Sequence, residues 1–185
     1  SYWAAIESNF NPDESYDVEF IGNGNRYYRD INFELKNRWN KRFNTTLTML
    51  DVIIDKGVAL GGPLGIQGDI KAKVGVIEGT YRYDNGKSSR AVIQHLWTNQ
   101  DKKNWVGLVY EYNFSSSLNL FIADGWNYGS SDKIHYYNVG GSYSKNNTRL
   151  SLNYGRQRGG LICVGGVCRF VPENTGINLN LNLVF

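Results

Sequence analysis

Ile177-Asn178-Leu179-Asn180-Leu181-Asn182-Leu183-Val184-Phe185 sets an apolar residue at every second position, fills three of the gaps with asparagine and stops on an aromatic. Successive side chains of a strand point to opposite faces, so the stretch reads as a strand with one greasy face and one wet face. The same alternation returns in Arg149-Leu150-Ser151-Leu152-Asn153-Tyr154, in Leu118-Asn119-Leu120-Phe121-Ile122 and in Ile31-Asn32-Phe33-Glu34-Leu35-Lys36. If such strands cross a bilayer, the apolar set meets lipid and the polar set faces the lumen.

Outward from that segment the sequence predicts ten strands, with cores at 2–8, 28–38, 44–54, 71–83, 87–98, 104–113, 117–126, 133–143, 147–156 and 176–185. Most are long enough to cross a bilayer when tilted, which takes roughly 9–11 residues. Their connections sort by length. Asn40–Phe43, Asp84-Asn85-Gly86, Phe114–Ser116 and Lys145-Asn146-Asn147 are tight turns, Asp-Asn-Gly being a strong hairpin signal. Residues 9–27, 55–70 and 157–175 are long loops, and Asn99–Lys103 and Asn127–Asp132 are moderate. Tight and longer connections alternate along the chain, as the short periplasmic turns and longer outside loops of a membrane barrel do. In strands 71–83 and 87–98 the alternation blurs at Glu78, Arg82 and His95, which suits a face that touches protein or an internal plug.

Composition agrees with many strands and turns. The chain has 21 Gly, 3 Pro and 14 % aromatic residues, a balance that disfavours long helices. Its 185 residues suit one domain. No run of 18 apolar residues exists, and the mean hydropathy is −0.44, which excludes a helical span and leaves a barrel open. A net charge of +3 is too weak and too dispersed to argue for nucleic acid. Ser1-Tyr2-Trp3 begins directly in strand-like sequence, so either a leader has been removed or the chain is part of something longer.

Tryptophans mark strand ends. Trp97, Trp105 and Trp126 fall at the long-loop ends, and Trp3 and Trp39 at the short-turn ends, as two aromatic girdles at membrane interfaces would require. The candidate lumen residues are Glu34, Lys36, Asp51, Lys71, Lys73, Glu111, Asp124 and Arg149. Their mixed signs suit either a packed charge network or a water-filled path, and a closed ten-stranded barrel is narrow enough to be filled largely by side chains. His95 and His135 stand apart from other ligand types, so neither a metal nor a cofactor is expected. No local catalytic motif exists, and a Ser-His-Asp set is left to the fold. Gly61-Gly62-Pro63-Leu64-Gly65 lacks the strand–helix setting of a phosphate loop. Three Asn-x-Ser/Thr matches, at Asn44, Asn113 and Asn146, are taken as chance. Cys163-Val-Gly-Gly-Val-Cys168 doubles back at its glycines, which points to a structural disulfide fixing an exposed hairpin tip rather than to a redox pair.

The terminal strand ending on Phe185 resembles the C-terminal signature of bacterial outer-membrane β-barrels. His135-Tyr-Tyr-Asn-Val-Gly-Gly-Ser-Tyr143, Tyr154-Gly-Arg-Gln-Arg158 and the Cys-Val-Gly-Gly-Val-Cys-Arg-Phe-Val-Pro segment closely resemble a family of Bacteroidota outer-membrane proteins of unknown function, DUF6029. The match is specific across 133–185 and looser upstream. The resemblance implies a Gram-negative outer-membrane barrel of which this chain is the C-terminal part, and it supplies no catalytic or binding residues. The reading is therefore an all-β, antiparallel, up-and-down transmembrane β-barrel, either complete in these ten strands or the C-terminal part of a larger one. Its long loops would be extracellular and its short turns periplasmic. It would meet outer-membrane lipid and other outer-membrane or surface proteins. Three functions follow as expectations: a non-enzymatic structural or accessory subunit of a larger complex, a passive pore for small solutes, and an outer-membrane hydrolase.

Overall fold

The computed structural model of the chain describes residues 2–4, 8–10, 16–18, 26–57, 68–100, 103–164 and 167–183, and side chains within 27–57, 68–100, 103–159 and 172–183. In chain order the strands are β1 (Tyr2–Ala4), β2 (Ser8–Phe10), β3 (Tyr16–Val18), β4 (Arg26–Arg38), β5 (Phe43–Asp55), β6 (Asp69–Arg82) and β7 (Ser88–Thr98). They continue as β8 (Trp105–Asn113), β9 (Leu118–Trp126), β10 (His135–Lys145), β11 (Thr148–Gln157), β12 (Gly160–Val164), β13 (Val167–Val171) and β14 (Asn174–Leu183). Among the described residues helix is confined to the 3-10 segment Asp84–Gly86 and to Lys56 and Gly57.

Nine long strands, β4 to β11 and then β14, pair as an antiparallel meander, and β1 adds three residues at the outer edge of β4. Two hairpins stand apart from this sheet, β2 with β3 and β12 with β13. The expected strand 2–8 is thus divided. Its end pairs locally with β3 inside what reads as a loop, because a three-residue strand is too short to leave a periodicity in sequence.

The strand order does not close. β1 and β14 lie at the two ends of the sheet, and no described pairing joins them. The expected barrel is an open sheet here, because β1 covers only Arg26 to Arg29 of the outer edge of β4, and β14 pairs on one side alone. β14 is accordingly exposed along both faces, with Ile177 at 72 %. In β9 and β10 one face is exposed and the other half-buried, an alternation interrupted at Asp124 and Gly141. A sheet curled around one face produces that asymmetry, since the concave side crowds its side chains together.

The connections segregate by end. Residues 39–42, 83–87, 114–117 and 146–147 turn at one end, and 56–68, 99–104, 127–134 and 158–173 connect at the other. Local chemistry makes the tight ones. Asn40 Oδ1 accepts hydrogen bonds from the backbone N–H of Arg42 at 2.8 Å and of Phe43 at 2.9 Å. Asn85 and Gly86 adopt φ of 66° and 73°, and Asn146 adopts 52°, the left-handed conformation that tight hairpin turns need and that Asn and Gly tolerate.

Candidate functional site

The register carries each strand's two side-chain sets across the whole sheet. On the convex face Ile31, Phe33 and Leu35 of β4 meet Asp51, Met49 and Leu47 of β5. Ile77 of β6, Ile93 of β7, Leu108 of β8 and Ile122 of β9 continue that face. Val139 of β10, Leu152 of β11 and Leu179 of β14 complete it. Every exposed large apolar side chain of the described strands lies on this face. So large a continuous apolar surface is foreign to a water-soluble monomer.

Rings edge this face at both ends. At the short-turn end Phe43, Tyr81, Tyr83, Tyr112 and Phe114 form an unbroken series. The ring centroids lie 6.5 Å apart for Phe43–Tyr81, 4.8 Å for Tyr81–Tyr83, 5.9 Å for Tyr83–Tyr112 and 4.6 Å for Tyr112–Phe114. Trp39 joins that end and donates its indole N–H to Thr45 Oγ1 at 2.9 Å. At the long-loop end Trp97, His95, Tyr128, Trp126 and His135 form a second series, with successive centroids 4.0, 5.6, 5.5 and 5.3 Å apart. The tryptophans mark only part of these bands. Most of the rings are Tyr and Phe at strand ends, a signal present in the sequence but diluted among 13 Tyr.

Trp105 departs from the expectation. By register it stands on the concave face, where its ring stacks on Tyr136 at 5.6 Å and carries the Arg158 guanidinium 4.9 Å away. The reason is parity, since Trp105 is one residue out of step with Val106, which faces outward opposite Trp126. Trp3 lies in β1, its side chain outside the described residues, and Phe185 lies outside them altogether.

The candidate lumen residues divide. Glu34, Lys36, Glu111 and Arg149 share the concave face, whereas Asp51, Lys71, Lys73 and Asp124 stand on the convex one. For Asp51, Lys71 and Lys73 sequence alone could not decide, because β5 and β6 carry apolar residues on both faces, whereas Asp124 keeps the parity of Leu118, Leu120 and Ile122 in β9. Leu50, Val52, Val74, Val76 and Leu96 make a patch on the concave side. This is the origin of the blurred pattern: Glu78 and Arg82 are concave, and His95 is convex. Below the patch Arg90 bridges two carboxylates, 2.8 Å from Glu78 Oε2 and 3.2 Å from Glu111 Oε2. Across β9 and β10 the concave face carries no charged side chain, and asparagines line it from β8 to β11. Asn119 Nδ2 donates to Asn113 Oδ1 at 2.9 Å, and Asn153 Nδ2 to Asn138 Oδ1 at 3.1 Å.

Of the catalytic types, His135 Nδ1 lies 2.7 Å from Asp124 Oδ2, and His95 Nε2 lies 2.7 Å from Tyr128 Oη. Both pairs are at the long-loop end of the convex face. Among the described residues no serine hydroxyl hydrogen-bonds to either histidine, and no three ligand-type side chains gather as a metal would require. The backbone of the β12–β13 hairpin sets Cys163 opposite Cys168, with Val164 opposite Val167. The two cysteine side chains, and so the disulfide itself, lie outside the described residues.

The chain belongs to the family of unknown function DUF6029, whose model matches residues 1–185. No curated protein and no solved structure matches it.

Proposed function

We propose that this chain is a wall of an integral outer-membrane β-barrel and acts as a non-enzymatic structural or accessory subunit of a larger outer-membrane assembly. In this reading the convex face meets lipid, the concave face lines the interior, and the loops at 56–68, 99–104, 127–134 and 158–173 face outward. One observation carries it: a continuous apolar face bounded at both ends by rows of rings, with all its large exposed apolar side chains on one side of the sheet. Bilayer insertion also demands that the outer edges of β4 and β14 find partners, because an unpaired strand edge is not tolerated in hydrocarbon. The apolar patch of Leu50, Val52, Val74, Val76 and Leu96 on the concave side supports a filled interior or a protein contact there, since a water channel would leave it wet.

A passive pore is the second reading, supported by the asparagine-rich concave face of β9 to β14. Two measurements separate the readings. Tryptophan emission of the reconstituted protein is expected to be quenched by lipids brominated on their acyl chains, and an unquenched spectrum would sink the membrane wall. Stepwise conductance in a planar bilayer would favour the pore, and a silent bilayer with a stable co-purifying partner would favour the subunit.

A further inference from the structure

We propose that the long-loop end of the convex face binds a membrane lipid with a phosphate-bearing head, held by Arg29, Lys71 and Lys73, with the lipid's acyl chain in the groove beneath. The proposal rests on the reading of this face as lipid-facing. Register sets Arg29, Ile53 and Lys71 in one row across β4, β5 and β6, with Asp51 and Lys73 side by side in the next. Arg29 and Lys73 therefore flank the Asp51 carboxylate, with Lys71 in the adjoining row. Asp51 is engaged by Arg29 at 3.3 Å and only loosely by Lys73 at 3.9 Å. The Lys73 side chain is 73 % exposed, and the Lys71 ammonium makes no ion pair among the described residues. Asp55 and Asp69 pair in the following row of the same face, so the positive excess belongs to the groove lining alone, where Arg29, Lys71 and Lys73 stand with Asp51.

Scattered basic residues at such a level are ordinary snorkelling side chains. What sets these apart is the surface they sit on. They line a groove of about 400 Å³ that also touches Trp97. Below it lies a second groove of about 450 Å³, walled by Ile31, Phe33, Met49 and Trp97 and floored by Gly75. Asp51, Lys73 and Trp97 belong to both, so the two grooves adjoin. The glycine opens the floor: a Cβ there would stand 3.1 Å from the Trp97 ring, tighter than ordinary contact. A cationic recess continuous with an apolar furrow matches a lipid with an anionic head and a hydrocarbon tail. A soluble anion would use only the upper half.

The test is native mass spectrometry of the full chain released from nanodiscs of mixed phosphatidylglycerol and phosphatidylcholine. Retained lipid is expected to be enriched in phosphatidylglycerol, and K71Q/K73Q is expected to cut that enrichment by about tenfold or more. Gly75→Leu, which fills the furrow with both lysines intact, is expected to lower lipid retention as well; if it fails to fold, the lysine pair carries the test. No enrichment, or an enrichment unchanged in K71Q/K73Q, overturns the site. So does displacement of the lipid by inorganic phosphate at equal concentration, which would mean that only the head matters. Quenching by brominated lipid, read on the same samples, separates the two failures. Insertion without lipid preference refutes the site alone, and no insertion refutes the lipid-facing wall on which it stands.

Discussion

Replacing Ile122 by arginine tests the orientation of the sheet. Ile122 sits mid-strand on the convex face, 56 % exposed, between Tyr110 of β8 and Val139 of β10. It stands four positions from Leu118 at the short-turn end and four from Trp126 in the long-loop ring row. At about 3.4 Å per residue each interval is roughly 14 Å along the strand. A tilt of about 40° reduces that to roughly 10 Å along the membrane normal, which sets Ile122 near the middle of an apolar band about 25 Å tall. An arginine at that depth costs about 2–4 kcal/mol, falling to about 0–1 kcal/mol near the interfaces. Were this face wetted, so exposed a substitution would change stability by no more than about 0.5 kcal/mol. The assay is the guanidinium midpoint of the protein folded into phospholipid vesicles, followed by tryptophan emission, with Leu118→Arg as the shallow control. Ile122→Arg is expected to lose several-fold more stability than Leu118→Arg. Equal losses at the two positions, or none at Ile122, would refute lipid contact along this face.

Three further outcomes are expected in the same unfolding assay. Arg90→Met removes both hydrogen bonds from Glu78 and Glu111 and leaves two half-buried carboxylates facing each other, a loss of about 1–3 kcal/mol; adding Glu78→Gln and Glu111→Gln should restore part of it, and no recovery would mean that Arg90 acts through packing. Gly155→Ala should cost about 1–3 kcal/mol, because its Cβ would stand 2.8 Å from the Asn138 Cα and closer still to the Tyr137 carbonyl, whereas Gly176→Ala enters open space and should stay within about 0.5 kcal/mol; the reverse order would discredit the β10–β11–β14 register. Cys163 and Cys168 should react with alkylating agent only after reduction, and changing both to serine should lower stability by no more than about 2 kcal/mol, since so short a loop gives up little entropy in the unfolded chain; alkylation without reductant would remove the disulfide.

Much of this architecture is legible in the one-dimensional pattern. Alternation at 31–36, 118–122, 149–154 and 177–183 marks strands because period two is a local property of extended backbone, and the tight turns at Asn40, Asn85-Gly86 and Asn146 are local for the same reason. What is not local was not legible. Whether Trp105 joins a ring row or the interior depends on one step of register against β7 and β9. Asp51, Lys71 and Lys73 read as lumen residues because their strands are apolar on both sides, and only pairing with β4 shows that they share a face with Ile31 and Phe33. The Arg90 bridge and the adjoining grooves over Gly75 likewise join residues from three strands, and no spacing in the chain records them. A two-faced antiparallel sheet with its connections sorted by end is written in neighbouring residues, since alternation and tight turns are local properties of the backbone. The tertiary structure alone decided which charges look outward, where the rings meet and that the described sheet stays open, because those depend on the register between strands, where a single-residue slip exchanges the two faces.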